Sequence, residues 1–430
     1  NHVGRQYHSD AQPDGTTELG ANDDSSQSFS PYNNFYYIPQ SELHGQFDMK
    51  GSATESYKEC PAKATGNNRF DAYPNITDWY ETVKLNYGVD YQNGGTCHFN
   101  PTPDTWTKML DILLFWADKN IDGFRCDMAE MVPVEFWEWV IPQVKEKHPD
   151  LLFIAEVYNP AEYQNYIFRG KFDYLYDKVG LYDTLRNVIC GYDSATAITR
   201  SWQSLGGIEK RMLNFLENHD EQRIASDFFA GNPRKAIPGL IVSACMNTNP
   251  MMIYFGQEFG ELGMDSEGFS GRDGRTTIFD YWSVDTIRRW RNGGKFDGKM
   301  LTEDQKHIYS IYQRILTLCN KEKAITEGEF FDLMYANANG WRFNEHKQYT
   351  FLRKAGKELL FIIVNFDHIS VDVAINVPSH AFDFLQIPQM DVYPAVDLLT
   401  GKTESISLLP YKATEISIEG YSGKILKIKL

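Results

Sequence analysis

The residues best suited to chemistry in this chain are carboxylates at the carboxyl ends of apolar runs. Ile121 to Met128, Ile-Asp-Gly-Phe-Arg-Cys-Asp-Met, reads as a short buried strand that presents Arg125 and Asp127 two positions apart. Residues two apart on a strand share a face. A guanidinium therefore stands beside a carboxylate and favours its charged form. An ionised, oriented aspartate is what nucleophilic catalysis needs; a structural ion pair at a strand end is the other reading of this octapeptide alone. Leu151 to Tyr158 is a second apolar run with Glu156 near its end, 29 residues after Asp127, the length of a strand-helix-strand unit. Met212 to Asp220 is a third and closes on Asn218-His219-Asp220. No cation adjoins Glu156 in sequence, so it can keep its proton and act as an acid while Asp127 stays ionised.

Strands that carry carboxylates at their carboxyl ends fit a (β/α)8 barrel, where those ends converge on the face that holds active sites. The intervening sequence supplies the helices. Thr105 to Asp118 places Trp106, Met109, Leu110, Leu113, Leu114 and Ala117 on one helical face. Val134 to Lys147 follows, with Pro133 at its first turn and Lys145, Lys147 and His148 at its basic end, as the helix dipole favours. Further helices are expected over 180–191, 193–206, 233–247 and 302–321. Five barrel strands are legible, near 121–127, 151–158, 173–178, 212–218 and 251–256. A closed parallel barrel takes eight, so the expectation is roughly a hundred further residues upstream of Asn1, the alternatives being a second polypeptide that supplies the other strands or a different strand count. Residues 3–104, rich in Gly, Asn, Asp, Ser, Tyr and Pro, read as a loop-dominated excursion with short strands. Beyond Glu327 the apolar period becomes two, as in Leu359–Phe366, Ser370–Val377 and Gly423–Leu430. That pattern predicts an all-β sandwich after a linker near 322–330.

Taken in order, Gly123-Phe124-Arg125-Cys126-Asp127, Ala155-Glu156-Val157 and Asn218-His219-Asp220 resemble the α-amylase family of glycoside hydrolases, family 13. Ile253 to Glu258 resembles its eighth strand and following turn, and Asn1-His2 the end of its third strand. The resemblance implies an α/β fold, a (β/α)8 TIM barrel expected to lack its first strands in this chain. An irregular inserted domain following barrel strand 3 would span 1–104, the catalytic barrel with strands 4 to 8 would span 105–325, and a C-terminal β-sandwich 326–430. It implies a retaining α-glycosidase with Asp127 as nucleophile, Glu156 as acid and base, and Asp220 gripping ring hydroxyls. Arg125, His219 and His2 are its implied sugar-binding partners. The implied substrate is an α-linked oligosaccharide or polysaccharide; transglycosylation or glucosyl isomerisation through the same intermediate, and a sugar-binding subunit without catalysis, are the alternatives. Gly268 to Trp282 has the wrong spacing for a phosphate-binding loop and reads as a rim loop over the sugar site.

The chain departs from typical members at Glu130-Met131, where a Lys-His pair usually contacts sugar. No cofactor is required for the chemistry. A structural calcium is implied, with the Asn1 side chain and the Met131 backbone as ligand candidates and Asp10, Asp14, Asp23 and Asp24 as further acids; calcium takes six to eight oxygens.

Composition bounds the rest. With 430 residues, 42% hydrophobic and 14% aromatic, the chain can bury a large core over two or three domains. A net charge of −16 argues against nucleic acid and anionic membranes and is compatible with a neutral sugar. No apolar run reaches the roughly 20 residues of a spanning helix. The six cysteines, at 60, 97, 126, 190, 245 and 319, lack metal-site spacing. Cys126, Cys190, Cys245 and Cys319 read as buried thiols, and Cys60 and Cys97 could pair in an exported protein. Compartment and oligomeric state stay open.

Overall fold

The computed structural model describes residues 1–5, 18–45, 57–279 and 282–430. Two compact units, Asn1–Tyr176 and Asp177–Leu430, are taken each by itself.

In the first unit, three parallel strands carry the residues of interest. Gly123–Cys126 pairs with Leu152–Ala155 in the register Gly123↔Leu152 through Cys126↔Ala155, and Ile154 and Ala155 pair in turn with Tyr174 and Leu175. That register brings Glu156 level with Asp127, one step past the last pair. The ladder tolerates no side chain at its start, since a Cβ on Gly123 would stand 2.5 Å from the Leu152 carbonyl oxygen. Helices Asp104–Ala117 and Val134–Lys147 form as their apolar periodicity dictates. They bury Trp106, Leu113 and Ala117 on the first, and Phe136, Trp137, Val140, Ile141 and Val144 on the second. Trp106 meets Phe136 edge-on at 5.6 Å. Ahead of them lie the expected short strands: Tyr37–Ile38 with Ala62–Lys63 and Val89–Asp90 with Thr96–Cys97. His2–Gly4 pairs antiparallel with Thr82–Lys84, and the Leu85 N–H bonds the Asn1 carbonyl at 2.9 Å.

The second unit contains the parallel pair Met212–Phe215 and Met251–Met252, in the register Asn214↔Met251 and Phe215↔Met252. Between them runs Ile237–Cys245, every residue of which is buried, as befits a helix apolar on all sides. Helix Glu303–Lys321 starts at Thr302, whose hydroxyl and the Gln305 side chain form a reciprocal capping box. C-terminal to it, an antiparallel sheet runs in the order Glu329–Asp332, Gln348–Ala355, Glu358–Asn365, Ser422–Lys429, Met390–Asp397, Thr403–Leu408. A separate ribbon pairs Val371–Ile375 with Thr414–Ile418. This domain is not all strand. Helices Met334–Asn337 and Ser379–Leu385 interrupt it, the latter because burial of Ala381, Phe382 and Leu385 on one side outweighs its short length. Nor is 322–330 a free linker, since Lys323–Thr326 is helical and Glu329 opens the edge strand.

Arg353 explains why that junction is ordered. It is fully buried and donates from Nε to the Ala324 carbonyl (2.9 Å), from Nη1 to Met246 (2.7 Å) and from Nη2 to Ile325 (2.8 Å). Burial pushes its pKa down to about 10, which leaves it charged at neutral pH. Arg353→Met strands three buried carbonyl oxygens, and each unsatisfied group costs about 1–3 kcal/mol. Thermal unfolding followed by circular dichroism should show a midpoint lowered by several degrees, with activity per folded molecule unchanged.

Cys245 is buried, whereas Cys126, Cys190 and Cys319 are only half-buried, and Cys60 and Cys97 are exposed free thiols. Among the described residues no helix is long and apolar enough to cross a membrane.

Candidate active site

In the first unit the site is organised by one guanidinium. Arg125 Nη1 lies 2.5 Å from Asp127 Oδ1 and Nη2 lies 2.8 Å from Glu156 Oε2. The sequence reading left Glu156 without a cation, and the structure corrects it. Arg125 and Glu156 are 31 positions apart, but their strands are neighbours in register, so the fork spans both acids. Its Nε faces the Tyr176 hydroxyl at 3.4 Å, and its plane lies 5.5 Å from that ring.

The two acids differ in environment. Asp127 is half exposed. Burial pushes its carboxyl up, but the Arg125 hydrogen bond and charge outweigh it and hold the group below its ordinary value. Glu156 is 2% exposed. Its Oε2 also accepts from the Met128 N–H (3.0 Å), and its Oε1 accepts from the Tyr158 hydroxyl (2.5 Å). Those partners and Arg125 favour the carboxylate, yet burial dominates and raises its pKa. One acid is thus poised ionised and the other poised to keep its proton, the pairing that general-acid chemistry beside a nucleophile requires. Removing the shared cation should raise both pKa values. The pH profile of kcat/KM for Arg125→Gln is therefore expected to move to higher pH on both limbs, because Asp127 must be deprotonated and Glu156 protonated. Limbs that stay in place would mean that other groups set them.

Backbone geometry aims these side chains. Met128 adopts a left-handed conformation (φ 43°) at the strand end, and the Ala129 N–H bonds the Glu156 carbonyl at 3.1 Å. Glu130 acts on the next turn: its Oε2 accepts from the N–H groups of Tyr158 (3.2 Å) and Asn159 (3.0 Å). At the Glu130-Met131 departure the chain thus has a backbone clamp. His2 Nδ1 lies 2.6 Å from Asn1 Oδ1, and its ring leans on Trp79 with centroids 5.6 Å apart. Burial pushes the His2 imidazole pKa down.

The Asn1 side chain is bonded within the protein. Its Nδ2 donates to the Gly66 carbonyl at 2.9 Å and faces Met131 Sδ at 3.5 Å, while its Oδ1 is taken by His2. Among the described residues no group of three or more His, Cys, Asp or Glu side chains could hold a metal ion. Asp23 accepts instead from the N–H groups of Asn34 and Phe35, and Asp24 from Ser26. Asp10 and Asp14 lie outside the described residues.

Asp220 and His219 belong to the second unit. Asn218 Oδ1 accepts from the N–H groups of Asp220 and Glu221, both at 2.9 Å, and so shapes the turn that presents them. His219 Nε2 lies 3.2 Å from Asp220 Oδ2. Behind this turn is a buried pair that sequence reading missed: Arg223 Nη1 meets Glu217 Oε2 at 2.9 Å, both about fully buried. Arg223 also bonds the Phe255 carbonyl (3.0 Å) and Thr276 Oγ1 (3.1 Å), and it lies 4.2 Å from the Tyr254 ring. It ties the Asn218 turn to the turn after Met252 and to the 268–279 loop. The available signal was Glu217 itself, a carboxylate inside an otherwise apolar run. Tyr158 and Tyr176 were missed as well, although Tyr158 shares a strand face with Glu156 by its spacing of two.

Residues 98–328 match the family model described as alpha amylase, catalytic domain. An alpha-1,4-glucan:maltose-1-phosphate maltosyltransferase from Cereibacter sphaeroides is 35% identical over 92 residues, 20% of this chain and 16% of that protein. Alpha-amylase MalA from Haloarcula japonica is 34% identical over 202 residues, 43% of this chain and 28% of that protein. The chain thus spans less than a third of the length of either relative. Among solved structures, the maltogenic alpha-amylase AmyB from Thermotoga neapolitana superposes with a TM-score of 0.55 at 19% identity, covering 84% of this chain and 71% of that one.

Proposed function

The chain belongs to the alpha-amylase family of glycoside hydrolases, whose catalytic domain is a (β/α)8 barrel, and from that premise we propose that it is a retaining α-glycosidase of α-glucans or malto-oligosaccharides. The observation that carries the reading is Arg125 holding an ionised Asp127 beside a Glu156 whose burial favours its proton. Retention needs two carboxyl groups about 5 Å apart, and acids sharing one guanidinium are placed for it.

In the first step Asp127 attacks the anomeric carbon while Glu156 gives its proton to the departing glycosidic oxygen. A glycosyl ester on Asp127 results. In the second, the Glu156 carboxylate takes a proton from water, whose oxygen displaces Asp127 and restores both groups. Asp220, His219, Arg125 and His2 are assigned to the reacting sugar, with hydrogen bonds that strengthen as positive charge develops on the ring. A structural calcium at Asn1 is a separate proposal, through which no step is routed. It fails if chelator dialysis leaves the melting temperature unchanged.

The test is proton NMR of a maltohexaose digest from its first minutes. New reducing ends should appear as the α-anomer; β-anomer released first would sink the double-displacement reading. Transfer to a second sugar is the other reading, favoured by the relative named as a maltosyltransferase, and it shows in the same digest as products longer than the substrate.

A further inference from the structure

We propose that Phe269 and Phe279 form a stacking platform for a glucosyl unit next to the one held at Asp220, so that this loop sets a preference for longer α-glucans. The proposal rests on the assignment of Asp220 to the reacting sugar. Phe269 is 46% exposed and Phe279 is 72% exposed, and their ring centroids stand 5.8 Å apart at an interplanar angle of 42°. Two apolar rings offered side by side to solvent cost free energy unless something covers them. The CH faces of a pyranose suit such a surface, and a curved α-glucan suits rings inclined to one another.

The loop that carries them is framed. Thr277 N–H bonds the Glu267 carbonyl (2.9 Å), closing its base, and Gly268 N–H bonds the Gly271 carbonyl (3.0 Å). The Asp273 carboxylate accepts from the Ser270 and Arg275 N–H groups, both at 3.1 Å. A Cβ on Gly268 would fall 1.9 Å from Asp273 Oδ1, so this turn requires glycine. The loop is also tied to the Asp220 turn by Arg275, whose Nε donates to the Asp220 carbonyl at 2.7 Å and whose guanidinium lies 5.8 Å from the Phe269 ring. The Arg223 N–H holds the Gly274 carbonyl at 2.7 Å. The platform is therefore bonded to the Asn218-His219-Asp220 turn.

The experiment is titration calorimetry of maltose and maltoheptaose on Glu156→Gln, with and without Phe269→Ser and Phe279→Ser. Maltoheptaose should bind about tenfold more weakly to the serine variants, the loss expected for an apolar contact in a binding site, while maltose affinity stays unchanged. Phe279→Ser alone, at a residue so exposed, keeps the fold and should show part of the loss; Phe279→Tyr, which keeps the face, should show none. Unchanged maltoheptaose affinity, equal weakening of both sugars, or no glucan binding at all overturns the platform. Turnover is scored separately. A wild type that binds maltoheptaose through these rings but releases no product overturns the hydrolytic reading and leaves the platform standing.

Discussion

Glu156→Gln lowers turnover of maltohexaose by about 10²–10⁴-fold, the range for removing a positioned general acid, and it abolishes the alkaline limb of the pH profile. The sign follows from the environment of Glu156. Burial raises its pKa against the opposing pull of Arg125, the Met128 N–H and the Tyr158 hydroxyl. The protonated form thus persists to higher pH than an ordinary glutamate, and activity falls only when that proton is lost. A glutamine has no proton to lose in this range. The deficit should shrink on an aryl α-maltoside, whose leaving group needs little protonation, and azide should restore turnover to Glu156→Ala because an anionic nucleophile needs no base. A glutamine variant with near wild-type turnover and an intact alkaline limb would remove Glu156 from the mechanism.

Asp127→Asn is expected to cost more, roughly 10⁴-fold or greater in kcat, equivalent to about 5.5 kcal/mol of barrier. No water-mediated route replaces a covalent intermediate when the attacking oxygen is gone. The side chain is half exposed, so the variant should melt near the wild-type temperature, and the loss is chemical. A fluorinated maltosyl fluoride, whose glycosyl ester hydrolyses slowly, provides the direct reading. Intact mass should show one added maltosyl group on the wild type, peptide mapping should place it on Asp127, and Asp127→Asn should show none. Labelling at another carboxylate would reassign the nucleophile.

How much of this was legible beforehand differs by residue. Asp127 and Glu156 could be picked out because each interrupts an apolar run at its carboxyl end, and the period of two puts Arg125 on the same face as Asp127. The helices over 104–117 and 134–147 followed from amphipathic spacing alone. In the C-terminal domain, Ser379–Leu385 was read as part of a strand region because seven residues are too few for a helical period to stand out. His2 was placed by its resemblance to a strand end; the pairing of His2 with Lys84 joins segments some eighty positions apart, which no local pattern encodes.

By itself, then, the sequence determined which side chains could do the chemistry and which elements present them, because periodicity and turn composition are local properties of the chain. Tertiary structure alone decided the electrostatics. Arg125 reaches Glu156 only because two parallel strands lie in one particular register. Glu156 is raised by its burial rather than by want of a cation, and burial is set by everything packed around it. The clamp from Glu130 to the Tyr158 turn, the three carbonyls on Arg353 and the tie from Arg275 to Asp220 likewise depend on distances between segments remote in sequence. A residue's type limits which hydrogen bonds it can make, and packing chooses among them.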